Sequence, residues 1–156
     1  MSPPVGTLFV AWSDDAVVDA WLRRASPSLS AGERETYREA LGSIRRDRYA
    51  LLVGTLDPTP ADPAAAPLPR PGPGDLRRFV RDLRMGFGPE DLPPVSSSQW
   101  LALGAPVFDD EGEVTLTISL HGFDNLTAAN FGDCVRPLAA TAQRVTELTG
   151  GRAPVE

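Results

Sequence analysis

At 156 residues the chain is long enough for one domain with a core of its own. Its net charge of -6, with every basic residue an arginine, argues against unaided binding to DNA phosphates. A single cysteine, Cys134, excludes an intrachain disulfide, and no run of about 20 apolar residues is present to span a bilayer.

The N-terminal stretch has no basic patch followed by an apolar run, so it does not read as a secretory signal, and a reducing cytoplasm is the expected location. Gly6 to Trp12 is short and apolar. Ser13 reads as an N-cap, with Asp14 and Asp15 in a first turn where the helix dipole favours acids. Val17, Val18, Trp21 and Leu22 then recur at helical spacing, to about Arg24. Ser30-Ala-Gly-Glu33 is a capping box, and the helix after it sets Tyr37, Leu41 and Ile44 on one face. Tyr49 to Leu56 is apolar and fits an inner strand. Pro58 to Pro73 then holds seven prolines, which deny the backbone its donors and predict an extended surface segment. Asp75 starts a further predicted helix, with Leu76, Phe79, Val80 and Leu83 inward, Arg77, Arg78, Arg81 and Arg84 outward, and Gly86 as its C-cap.

The C-terminal third is the most regular part. Trp100–Phe108 and Glu113–His121 read as two strands around the polar turn 109–112. A helix from about Thr127 to Thr149 follows, stopped by Gly150-Gly151. Its apolar stripe is Phe131, Val135, Leu138, Ala142, Val145 and Leu148, and Pro137 is expected to kink it. Counting outward from the turn pairs Phe108 with Glu113 and Trp100 with His121. On that register Leu101, Leu103, Val107, Val114, Leu116, Ile118 and Leu120 share a core face. Trp100, Ala102, Gly104, Thr115, Thr117, Ser119 and His121 share the other. Small residues there leave room above the sheet, hydroxyls and an imidazole offer donors to a small anion, and Trp100 offers an apolar wall. The same alternation also describes an ordinary solvated sheet face.

No other motif carries chemistry. His121 has no nucleophile arranged with it, so no catalytic residue is assigned. Cys134 sits near a helical apolar stripe and reads as a structural thiol. Asp109, Asp110 and Glu111 are too few for an oxygen cage, so no metal and no cofactor is expected. The four arginines from Arg77 to Arg84 read as a solvated helix face.

Three pieces of the chain resemble, in order, the effector-binding domain of IclR-type bacterial transcription regulators. They are Pro4-Val-Gly-Thr-Leu-Phe-Val-Ala-Trp12 with the helix after it, Ala40-Leu-Gly-Ser-Ile-Arg-Arg-Asp-Arg-Tyr-Ala50, and Ala105-Pro-Val-Phe-Asp109 with Gly112 and Ile118-Ser-Leu-His-Gly122. Gly-Gly-Arg after the last helix is similar to the actinobacterial branch. The resemblance implies an α+β fold, an antiparallel sheet flanked by helices and GAF-like. It implies ligand contacts at Gly6, Ala102, Ser119 and His121, to which the pattern of the hairpin face adds Trp100, Gly104 and Thr117. Ala102 lacks a polar group, and His121 stands where the family has a small hydroxyl residue. The family's winged helix-turn-helix is missing, as are the first strands of its effector domain. The sheet is thus expected to be incomplete at its N-terminal side, with an edge covered by a partner, a second copy or the insertion.

Residues 1–156 are therefore read as a single effector-binding-like domain with a proline-rich insertion at about 57–97. The expected function is ligand sensing and oligomerisation in an IclR-like regulator. The ligand is a small organic acid or aromatic metabolite, the assembly a homodimer or tetramer, and DNA is reached only through a separate DNA-binding domain. The alternatives are a protein-interaction remnant without an effector, and a small enzyme using His121.

Overall fold

In the computed structural model, residues 1–25, 28–55, 84–86, 89, 92, 99–121, 123 and 126–154 are described. Helices α1 (Thr7–Val10), α2 (Asp15–Leu22) and α3 (Ala31–Asp47) precede strands β1 (Ala50–Thr55), β2 (Arg84–Gly86), β3 (Gln99–Phe108) and β4 (Val114–His121); α4 (Phe131–Leu148) comes last. The strands form one antiparallel sheet in the order β2-β1-β3-β4. The architecture is α+β, with helices against both faces of the sheet.

Local signals set most element ends. Asp14, rather than Ser13, caps α2, its carboxylate accepting from the Val17 N–H at 2.9 Å. An aspartate one residue later reaches the free amides of the first turn equally well. Ser30 and Glu33 form the expected capping box on α3. The hydroxyl and amide of Ser30 donate to the Glu33 carboxylate and hold its pKa below the ordinary carboxylate value. Helix α4 closes as predicted at the glycines. Gly150 adopts φ +77, and the Gly151 N–H donates to the Thr146 carbonyl at 2.8 Å.

Two cores lie on opposite faces of the sheet. On one, Phe131, Leu138 and Ala142 of α4 pack on Leu51, Leu103, Ala105 and Val107. Thr146 is fully buried there; its hydroxyl accepts from the Phe108 N–H (3.1 Å) and donates to the Ala142 carbonyl (3.0 Å). On the other, Leu8 and Val10 of α1 join Val18, Trp21 and Leu22 of α2 and Leu41 and Ile44 of α3. Trp21 meets Tyr37 edge-on at 5.6 Å, and burial raises the Tyr37 pKa, with Glu33 adding to the effect.

Several expectations change. Gly86 is in strand β2, paired with Leu51, and caps no helix. The short strand from the insertion thus covers the outer side of β1. Leu116, Leu120 and Leu148 are 50%, 37% and 68% exposed, so they stand outside the core face and stripe assigned to them. Leu116 and Leu120 lie on the edge strand, where α4 reaches only part of the surface, and Leu148 is the last residue of its helix. Arg84, expected on the outward stripe of the helix from Asp75, is instead the first residue of β2, paired with Val53. The rest of that predicted helix and the proline-rich segment lie outside the described residues.

The hairpin register also differs, in an instructive way. Phe108 pairs with Val114 rather than Glu113, a slip of one residue that alone would turn every β4 side chain to the opposite face. An irregularity between Val107 and Phe108 adds a second step, because Val107 pairs with Leu116 and Thr115 is left over. Beyond it Pro106 faces Thr117, Gly104 faces Ser119 and Ala102 faces His121. The two slips sum to an even number, so the polar residues keep their predicted face but acquire new partners.

Candidate functional site

The face of the sheet opposite α4 carries a cavity of about 220 Å³ between β4 and the N-terminal segment. Residue size explains it. Gly104 has no side chain, and a Cβ there would lie 2.8 Å from Leu8 Cδ1. Leu8 can therefore rest on the strand only because position 104 is glycine. Ala102 on the same face adds little volume, so space remains beside Leu8 instead of being filled.

The opposite wall runs from Met1 to Phe9. The Trp21 indole N–H donates to the Val5 carbonyl at 3.0 Å and anchors this segment to α2, while the Thr7 hydroxyl donates to the Pro4 carbonyl. Gly6 turns the chain into α1 with φ +90, a conformation glycine adopts without strain. A Cβ there would also lie 2.8 Å from Met1 Sδ.

Of the seven residues expected at a ligand site, Gly6, Ala102, Gly104, Thr117, Ser119 and His121 line this one cavity. Trp100 belongs to β3 and pairs with Gly54 of β1, not with His121; its side chain lies outside what is described. Thr117 is half-buried, and Ser119 and His121 are exposed at the rim. Sequence reasoning missed Leu8 and Phe9 on α1 and Ala50 and Leu52 on β1. Ala50 and Leu52 sit opposite Gly104 and Ala102 in the β1–β3 pair, so alternation along Tyr49–Leu56 would have found them had that non-local pairing been known.

The chemistry of the lining is mixed. Apolar carbons of Leu8, Phe9 and Leu52 face the hydroxyls of Thr117 and Ser119 and the His121 imidazole. Among the described residues no arginine, aspartate or glutamate lines the cavity. Among them no group of three metal-ligating side chains occurs and no helix is long and apolar enough to cross a membrane. Cys134 packs against the α4-side cluster, on the other side of the sheet from His121.

The fold is similar to that of solved structures. A domain of an IclR-family transcriptional regulator superposes with a TM-score of 0.56 at 17% identity, covering 95% of this chain and 64% of that one. An IclR-family transcriptional regulator from Silicibacter sp. TM1040 superposes with a TM-score of 0.51 at 15% identity, covering 96% of this chain and 44% of that one. This chain thus has the fold seen in IclR-family regulators and spans under two thirds of either protein. No protein-family model matches the sequence, and no curated protein does.

Proposed function

We propose that residues 1–156 form one effector-binding domain, with an insertion at about 57–97, that senses a small organic molecule on behalf of an IclR-like transcription regulator. The observation that carries this reading is the cavity, in which Gly6, Gly104, Thr117, Ser119 and His121 converge from three separate elements. At about 220 Å³ it is smaller than the roughly 300–1,000 Å³ of drug-sized sites, which suits a small organic acid or aromatic metabolite. The ring or chain would lie against Leu8, Phe9 and Leu52, and its polar end would meet the hydroxyls and imidazole of β4. Cys134 lies across the sheet from His121, which supports a binding module over an enzyme. DNA would be read by a separate domain, in keeping with the net charge of -6.

The test is thermal unfolding in the presence of small carboxylates and aromatic acids, with Ser119→Ala beside wild type. A ligand at about 100 times its dissociation constant adds ~2.7 kcal/mol to stability. For a domain of this size each kcal/mol moves the midpoint by roughly 2–4 °C or somewhat more. The expected result is a compound that raises the wild-type midpoint and raises that of Ser119→Ala less. Because Ser119 is exposed, the ligand-free midpoints of the two proteins should agree within about 0.5 kcal/mol of stability. A flat screen on a well-folded protein would remove the sensor reading.

A further inference from the structure

One wall of the cavity belongs to no strand of the sheet. Gly6 divides it in two. On the α1 side, Thr7, Leu8 and Val10 are buried. On the other side the chain runs from Met1 to Val5, where Pro4 is buried and Met1 and Val5 are 64% and 38% exposed. Three successive carbonyls at this division are held by hydrogen bonds. The Pro4 carbonyl accepts from the Thr7 hydroxyl, and the Gly6 carbonyl accepts from the Phe9 and Val10 N–H groups at 3.0 and 3.2 Å. These donors lie within a few residues of the carbonyls they serve. The Val5 carbonyl instead accepts from the Trp21 indole N–H at 3.0 Å, a donor on α2. Trp21 is 2% exposed and stands edge-on to Tyr37 at 5.6 Å, so the donor is fixed in the core while its acceptor is on the surface segment.

We propose that Trp21 is a positioning residue for the cavity. Its indole N–H latches residues 1–5 over the cavity, and release of this one bond lets them swing about Gly6 and uncover the floor at Ala102. The hinge is suited to this motion, because a glycine at φ +90 has no Cβ to obstruct a change of backbone direction. The floor stays in place, since Ala102 and Gly104 belong to an inner strand with α4 packed behind it. The energetics of the latch are unequal at its two ends. When the bond breaks, the Val5 carbonyl is on a partly exposed residue and turns to water, while the buried indole N–H is left without an acceptor. That imbalance favours the closed wall and makes opening a minor, local event. Trp21 stands behind the wall and acts on the cavity through Val5, which lines it. The use of this motion for ligand entry and escape rests on the sensor reading; the latch itself does not.

The test is the rate at which iodoacetamide labels one thiol at a time in the full chain, without ligand. Ala102→Cys in a Cys134→Ser background places a thiol on the cavity floor, where position 102 is 4% exposed. The native Cys134, half-buried on the α4 side of the sheet, is the control thiol in a chain that keeps Ala102. With Trp21 present the thiol at position 102 should label slowly. Trp21→Phe keeps a ring against Tyr37 and removes the N–H, and should speed labelling at position 102 roughly fivefold, the change in an opening equilibrium that goes with one lost hydrogen bond. Labelling of Cys134 should stay unchanged in Trp21→Phe. An equal rise at both thiols would mean that Trp21 serves the stability of the whole fold and would overturn the proposal. Fast labelling at position 102 with Trp21 intact, or no rise on its replacement, would overturn it too. Should Trp21→Phe misfold, replacement of Trp21 by benzothienylalanine, which exchanges the N–H for sulfur and keeps the ring size, decides alone. With ligand absent, failure here leaves the sensor reading standing, and a flat ligand screen leaves the latch standing.

Discussion

Leu103 and Gly104 are neighbours on β3 and meet opposite surroundings. Leu103 is fully buried among α4 side chains, while Gly104 forms part of a cavity floor beside Leu8. The same strands thus carry a filled face and an open one. The filled face is covered by an 18-residue helix with a continuous apolar stripe. The open face is covered near β4 by a four-residue helix, too short to spread over the whole strand. Space for a ligand arises where small residues meet a short covering element, and structural rigidity where large residues meet a long one.

That contrast can be broken from the filled side first. Leu103→Ala should cost about 2–5 kcal/mol, because the close-packed α4 face cannot collapse into the void. Chemical denaturation would read this as a lowered midpoint at constant slope, and a loss under 1 kcal/mol would mean that the face is not rigid. Thr146→Val should cost about 1–3 kcal/mol, since it keeps the volume but leaves the Phe108 N–H buried without its acceptor. A neutral outcome would show that this amide finds another partner. On the open side, Gly104→Ala should cost about 1 kcal/mol, because the new methyl meets only the tip of Leu8, which can swing away. The displaced Leu8 would enter the cavity, so the same variant should lose more ligand-induced stabilisation than it loses in stability. An unchanged ligand response would place the binding site elsewhere.

Much of the framework was legible because its signals are local. The Ser30–Glu33 box, the glycines after α4 and the polar turn between β3 and β4 each act within a few residues, and each appears where expected. The N-cap of α2 fell one residue away, since Ser13 and Asp14 are both capable caps and only backbone geometry chooses between them. The candidate site was legible by face but not by register. Alternation places Gly104, Thr117 and Ser119 together on any even slip, whereas which of them are opposed depends on the irregularity at Thr115. The α1 wall and the β1 contribution were not legible, because Leu8, Ala50 and Leu52 reach the cavity through contacts distant in sequence.

By itself, then, the sequence determined an α+β chain, the start of α3, the end of α4 and the two-faced character of its last hairpin, all consequences of side-chain periodicity and short-range hydrogen bonding, while α4 begins at Phe131, about four residues after the expected Thr127. Only the tertiary structure decided that a strand from the insertion seals one edge while β4 stays open among the described residues. It also decided that Leu116 and Leu120 stay exposed and that α1 docks on Gly104 to leave a cavity. Those outcomes rest on which elements compete for the same surface, and no local pattern encodes that competition.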